Sequence, residues 1–333
     1  LPNNKLIPTW EEEIRRHTRG FDVIFQDTRS SGMVYDIRPE TIFVTTLGRM
    51  RDSPLTHRWL LVIIDECLAV QNKNALWTES AWVQSKMSKH LLMMSATFFR
   101  SRFDKLYYML KMLGTGLPES KEYLETILLE SIVSQMPLTN RVWHTNINRF
   151  KLASKLRKEY QAIENSEQSL EKKYASLNSL LVDDRVVENV GENLAGLIEE
   201  KESEGRRCLI YARSMEEATI WSERLGIPIY PKKGDHCIVT YHEGTYGLND
   251  LVIYDCLVMR PPPPDKLPQI KGRLDRPGQD SNELFIEYFV LAQTIDEGLL
   301  IRMSIASEFM HKYIMPLARF YEVSVNYRAY LTE

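Results

Sequence analysis

No glycine in these 333 residues is followed by lysine, so the phosphate-cradling loop G-x-x-x-x-G-K-[ST] does not occur. There is no Cys-x-x-Cys and no His-Glu-x-x-His either. The four cysteines, Cys67, Cys208, Cys237 and Cys256, are far apart, each in or beside an expected strand. Zinc sites, metalloprotease chemistry and nucleophilic triads therefore have no support, and buried free thiols in a reducing compartment are expected. No apolar run approaches the roughly 20 residues that span a bilayer, so a soluble intracellular chain without membrane contact is expected. An excess of one charge is missing as well: 42 Lys and Arg against 45 Asp and Glu give a net charge of −3. Any contact with nucleic acid must then come from local basic clusters.

What is present begins with Leu60-Leu61-Val62-Ile63-Ile64-Asp65-Glu66-Cys67. Five apolar residues rich in β-branched types read as a strand buried on both faces, with two carboxylates where it leaves its sheet. Ligands of open α/β sheets bind at that carboxyl edge. An acid pair so delivered is the Walker B arrangement of nucleotide hydrolases, but it fits a solvated turn start equally well. Upstream, Pro8-Thr9 before Glu11-Glu12-Glu13 reads as a helix start, and 22–26 and 41–45 as short strands. Thr45-Thr46-Leu47-Gly48-Arg49-Met50-Arg51 leaves the second strand with hydroxyls and two arginines, a composition suited to phosphate oxygens. Downstream come a helix over 75–86, a strand over 91–94 and Ser95-Ala96-Thr97, which reads either as a simple turn or as hydroxyls reporting on the neighbouring acids.

From 119 to about 184 the composition turns to Leu, Glu, Lys and Ser, with Leu156, Tyr160, Ile163, Leu170, Tyr174, Leu177 and Leu181 at helical spacing. A helical hairpin is expected there, its charges either a solvated face or a surface for a protein partner. A second α/β pattern follows: helix 187–204, strand 208–212, helix 215–225, short strands near 227–229, 237–240 and 251–255, and a last strand at 285–291. Lys232-Lys233-Gly234-Asp235 is a basic turn, and Pro261 to Pro264 an extended spacer or a ligand for a proline-binding partner. Alternating strands and helices imply largely parallel sheets.

Taken in order, these motifs resemble the Swi/Snf-type ATPases of helicase superfamily two. Pro2, Leu6, Trp10 and Glu13-Ile14 are similar to motif Ia, Thr45-Thr46 to Ib, Asp65-Glu66 to II and Ser95-Ala96-Thr97 to III. Leu209-Ile210-Tyr211 is similar to motif IV, Gly244, Gly247-Leu248-Asn249 to V, and Gln269, Gly272-Arg273, Arg276 and Gly278-Gln279 to VI, followed by Thr294-Ile295-Asp296-Glu297. The resemblance implies an α/β fold of two RecA-like lobes: 1–118, a helical insertion at 119–185, a second lobe at 186–300 and a C-terminal helical brace at 301–333. It implies ATP and Mg²⁺, with Asp65 on the metal, Glu66 on the attacking water and Arg273 and Arg276 as fingers on the γ-phosphate. Gln269, Gly247 and Asn249 would join the nucleotide site, and Thr45, Thr46, Arg49, Arg51, Lys232, Lys233, Gly244 and Thr245 the track for double-stranded DNA.

The absent phosphate loop belongs just upstream of motif Ia, so Leu1 is expected not to be a native start, and this chain alone is expected not to hydrolyse ATP. The span between Leu225 and Thr240 is shorter than in the family, and Phe98-Phe99-Arg100 replaces its usual Gly-Thr-Pro. The implied activity is an ATP-driven translocase or remodeller on duplex DNA. The competing expectation is a degenerate helicase-like scaffold in a replication or transcription assembly. Nucleus, bacterial cytoplasm and large DNA virus all suit the sequence.

Overall fold

The computed structural model describes residues 1–26, 35–96, 99, 102–114, 116, 118, 120–131, 141–244 and 250–316. The chain forms two compact units, one of Leu1–Met136 with Ala306–Glu333 and one of Pro137–Ile305.

The first unit opens with α1 (Ile7–His17), started by a proline in its first turn. Ile14 is buried on one side, while Arg15 and Arg16 pair with Glu11 and Glu12 on the other at 3.0 and 2.8 Å. Strands β1 (Asp22–Phe25) and β2 (Thr41–Val44) form a parallel pair. After them come α2 (Leu47–Asp52), β3 (Trp59–Ile64), α3 (Leu76–Lys86) and β4 (Ser88–Met93). β3 and β4 are a second parallel pair, with Leu61 opposite His90 and Ile63 opposite Leu92. Helices α4 (Phe103–Met112) and α5 (Lys121–Ser131) complete the unit's core with Ala306, Phe309 and Ile314.

One face of the β3–β4 pair, carrying Val62, Ile64, Leu91 and Met93, packs on that core. The other does not. Leu61, Ile63 and Leu92 remain 46%, 43% and 46% exposed, and Leu60 reaches 71%. The apolar run at 60–64 was expected to be buried on both faces and is covered on one: Val62 and Ile64 meet the core, while Leu61 and Ile63 stay open beside Leu92.

The second unit begins where helix was expected. β5 (Val142–Phe150) runs parallel to the last strand, β9 (Glu283–Leu291), over nine residue pairs, so the 119–185 stretch is not wholly helical. As a mostly exposed edge strand β5 lacks the apolar run that marks an interior strand, and polar anchors help to hold it: Asn146 and Asn148 donate to the buried Glu287 carboxylate at 2.8 and 2.9 Å. Helices α6 (Ser154–Glu164) and α7 (Leu170–Leu180) form the expected hairpin. Leu156, Tyr160, Leu177 and Leu181 lie in the core, whereas Leu170 and Tyr174 are 84% and 46% exposed.

Helix α8 (Asp184–Ser203), β6 (Cys208–Ala212), α9 (Met215–Leu225) and β7 (Cys237–Thr240) follow the sequence reading closely. A single turn, α10 (Tyr241–Gly244), leads out of β7. The strand expected at 251–255 is instead a turn, closed by Tyr254 N–H on the Leu251 carbonyl at 3.2 Å, and β8 (Cys256–Met259) comes after it. Pro261, Pro262 and Pro264 are buried, which removes them as an exposed proline ligand. α11 (Leu267–Leu274), β9 (Glu283–Leu291) and α12 (Ile295–Phe309) end the described fold, apart from one wide turn over Met310–Ile314. The parallel sheet has the order β5-β9-β8-β6-β7, and every residue of β6, β7 and β8 is buried. All four cysteines are buried and free.

Candidate functional site

The acid pair stands at the carboxyl end of β3. Pairing with the neighbouring strand continues past it: Met94 N–H donates to the Ile64 carbonyl and Cys67 N–H to the Met94 carbonyl, both at 2.9 Å. The chain between those bonds holds Asp65 and Glu66 beside the end of β4, from which Ser95 and Ala96 depart. Thr97 lies outside the described residues. Glu66 has φ 50° and ψ 52°, a left-handed conformation uncommon for a residue with a side chain. The Asp65 carboxylate stabilises this turn by accepting the Glu66 N–H on Oδ1 at 2.9 Å. On Oδ2 it accepts the indole N–H of Trp10 at 3.0 Å. Trp10 sits on the same side of α1 as Ile14, opposite the charged pairs, and its role in holding the acid was not legible from spacing.

The loop read as a phosphate track is largely occupied by its own fold. Thr45 Oγ1 donates to the buried Gln26, and Thr46 caps α2 by accepting the Arg49 N–H at 3.3 Å. Arg51 is paired with Asp52 at 2.6 Å. Arg49 differs, since its Nε is buried without a hydrogen-bond partner.

In the second unit three of the sequence motifs meet at Tyr211. This buried tyrosine on β6 donates to the Gly244 carbonyl at 3.3 Å, and a Cβ on Gly244 would stand 2.5 Å from the Tyr211 ring. Burial pushes the Tyr211 phenol above its ordinary value, and the positive charge of Arg273 works against that rise. Gly244 is thus fixed by close packing. Arg273 is buried on α11, whereas Arg276 lies beyond the helix end at Leu274, so the two arginines do not share a helix face as expected. Instead Arg276 Nε folds back to donate to the Gly272 carbonyl. Burial holds the Arg276 guanidinium below its ordinary pKa. Gln269 carries a buried Oε1 without a hydrogen-bond partner. Lys233 pairs with Asp250, and Lys232 is exposed. Thr245, Gly247 and Asn249 lie outside the described residues.

Sequence reasoning named Asp296 in the motif 294–297 but missed the buried ionic cluster it forms at the carboxyl ends of β6, β8 and β9. Asp296, fully buried, pairs with Arg213 at 2.8 Å and Arg260 at 3.5 Å, and accepts the Leu291 N–H at 3.2 Å. Arg260, 1% exposed, also donates to the Leu181 carbonyl at 2.9 Å. Glu217 accepts the Arg213 N–H, and burial raises its pKa against the pull of Arg260 and Arg213. The only signal was a set of charged residues just past apolar strands. Beside the cluster, a cavity of about 230 Å³ is lined by Arg213, Ser214, Met215, Thr240, His242 and Glu243.

Among the described residues no group of three or more His, Cys, Asp or Glu could hold a metal ion, and no helix is long and apolar enough to cross a membrane. Mg²⁺ often rests on one or two carboxylates plus water and substrate phosphates, and Asp65 fits that lesser share: each of its oxygens accepts one N–H and has lone-pair capacity left.

No family model matches the chain. It is 63% identical over 331 residues to a protein of Acanthamoeba polyphaga mimivirus named "Putative helicase L115", a match over 99% of this chain and 26% of that protein. The chain therefore spans about a quarter of the length of this relative. A solved structure, the Sulfolobus solfataricus SWI2/SNF2 ATPase core in complex with dsDNA, aligns with 93% of this chain and 81% of its own at 17% identity, with a TM-score of 0.38, too loose a likeness to define the fold.

Proposed function

We propose that these residues are part of an ATP-driven, helicase-like enzyme of the Swi/Snf type that moves along double-stranded DNA. The observation that carries this reading is the Asp65-Glu66 pair at the carboxyl end of a parallel strand, in a sequence 63% identical to a stretch of a protein named as a helicase. Asp65 would hold Mg²⁺ through its remaining lone pairs, and Glu66 would orient the attacking water. The bound ion would neutralise charge on the phosphates. Phosphate-cradling residues of the Gly-Lys type are not among these 333, so residues 1–333 alone should turn over no ATP.

The test is nucleic acid-stimulated ATP hydrolysis by the full-length protein. Asp65→Asn is expected to abolish it while duplex DNA binding persists. A wild-type protein that binds DNA but never hydrolyses ATP would replace the enzyme reading with the scaffold. Contact with DNA is assigned first to Arg49, which, unlike Arg51, makes no ion pair among the described residues. Arg49→Ala should weaken binding to all sequences alike and flatten the salt dependence by about one unit of log–log slope, and Arg51→Ala should do less because Asp52 already holds it. The finger role is proposed for Arg276 with Arg273 behind it. Arg276→Lys tests it through loss of turnover without loss of nucleotide affinity.

A further inference from the structure

We infer that Trp10 is a positioning residue for Asp65, fixing the carboxylate that receives a divalent cation. The inference rests on the reading of Asp65 proposed above. An ionised carboxylate turns about its terminal torsion in a broad well unless donors pin it. Here each oxygen has its own donor, the Glu66 backbone N–H on Oδ1 at 2.9 Å and the Trp10 indole N–H on Oδ2 at 3.0 Å. The first comes from the adjacent residue and turns with the same loop. The second comes from 55 positions away in sequence, on a helix anchored by the buried Ile14, and ties the acid to an independent element.

The indole suits this task. It is a donor only, so it neither competes for a cation nor changes charge with pH. Its rigid ring places the N–H with two torsions, and it leaves the remaining lone pairs of both oxygens for a hard cation and its waters. Groups that orient a ligating carboxylate in this way typically change metal affinity or activity by about 10- to 100-fold when removed. The bond lies wholly within the first unit.

The experiment uses the full-length protein and Mn²⁺ as the probe, its binding followed by electron paramagnetic resonance. Trp10 is replaced by benzothienylalanine, whose sulfur stands where the N–H was, and separately by Phe. Asp65→Asn is measured beside them. The expected result is Mn²⁺ binding lost in Asp65→Asn and weakened about 10- to 100-fold in the benzothienylalanine protein, with an unchanged melting temperature. Trp10→Phe should show a similar weakening if it folds, and the isosteric variant decides the matter if it does not. Unchanged Mn²⁺ affinity in the benzothienylalanine protein, with binding lost in Asp65→Asn, would overturn the role of Trp10 alone. Unchanged affinity in Asp65→Asn would overturn the metal-holding role of Asp65, and the inference with it.

Discussion

The two units use parallel strands differently. In the second, five strands make one sheet whose middle members, β6 and β8, are buried throughout, with neighbours on both sides and side chains from two clusters on the two faces. In the first, the four strands among the described residues make two pairs, and the β3–β4 pair leaves Leu61, Ile63 and Leu92 open on one face. Parallel sheets are stable when both faces are covered, and a lone pair of strands contributes little by itself. Among the described residues the first unit's core therefore meets one face of the β3–β4 pair, where α4, α5, Ala306, Phe309 and Ile314 share a cluster with Val62, Ile64, Leu91 and Met93 and with Leu47 and Ala81 of α2 and α3. The second is held by two layers and a buried ionic clamp. Damage should accordingly be costly at the strand ends of the second unit and mild on the open face of the first.

The largest effect is expected at Asp296. Its carboxylate is the counterion of Arg260, which is 1% exposed, and of Arg213. Asp296→Ala leaves a guanidinium buried without its charge partner, a change that costs about 3–5 kcal/mol. Urea unfolding of the 333-residue chain should show that loss. A cost below about 1 kcal/mol would mean that the clamp adds nothing to the sheet it closes.

A smaller cost is expected at Gly244, where the new Cβ would meet the Tyr211 ring at 2.5 Å. The ring is 1% exposed and has little room to retreat. Gly244→Ala should destabilise by about 1–3 kcal/mol through overpacking. In a Tyr211→Leu background the same substitution should cost much less. Equal costs in both backgrounds would remove Tyr211 as the reason for glycine there.

Glu217 offers a pH signature of the same cluster. Its pKa in the folded state is raised by burial above the ordinary 4.5, so between those two values the folded chain holds a proton that the unfolded chain has released. The stabilisation from this proton is complete below the ordinary value and is lost as pH rises through the folded one. Glu217→Gln should flatten that decline in unfolding free energy, measured from about pH 4 to 8. An unaltered slope would show that Glu217 ionises as freely as an exposed acid.

How much was legible depended on how local the cause was. Helix α9 came out with the expected bounds, 215–225, because the residues that start and stop it, the Ser214 cap and the left-handed Gly226, adjoin it in sequence. The parallel strands β1, β2, β6, β7 and β9 were visible as apolar or β-branched runs. The edge strand β5 was not, since its support comes from Glu287, 141 and 139 residues from Asn146 and Asn148, and the turn at 251–255 passed for a strand because its apolar run, with Leu251 and Tyr254 buried, makes no ladder. In the site, the acid pair was readable as a motif. The indole that pins Asp65 and the clamp on Asp296 depend on partners brought together by packing, 55 and 83 residues apart in sequence, while the folding back of Arg276 onto Gly272 follows from the helix ending at Leu274.

The smallest effect is expected on the open face of β3. Ile63 is 43% exposed and stands opposite Leu92, itself 46% exposed, on the side of the pair away from the core residues Val62, Ile64, Leu91 and Met93. A lysine there extends its ammonium into water and lays its methylenes along the strand, so little burial is forfeited. Ile63→Lys should change the unfolding free energy of the 333-residue chain by no more than about 0.5 kcal/mol, as surface substitutions do. It should also lower the binding of a hydrophobic dye and slow aggregation, because it interrupts a contiguous apolar patch. The contrast with the second unit sharpens the point: Ile210, at the middle of β6, is 0% exposed and has no route for a charge to reach water. A loss of 2 kcal/mol or more in Ile63→Lys would mean that this face is packed within the chain itself, and the first unit would then be a two-layered structure like the second.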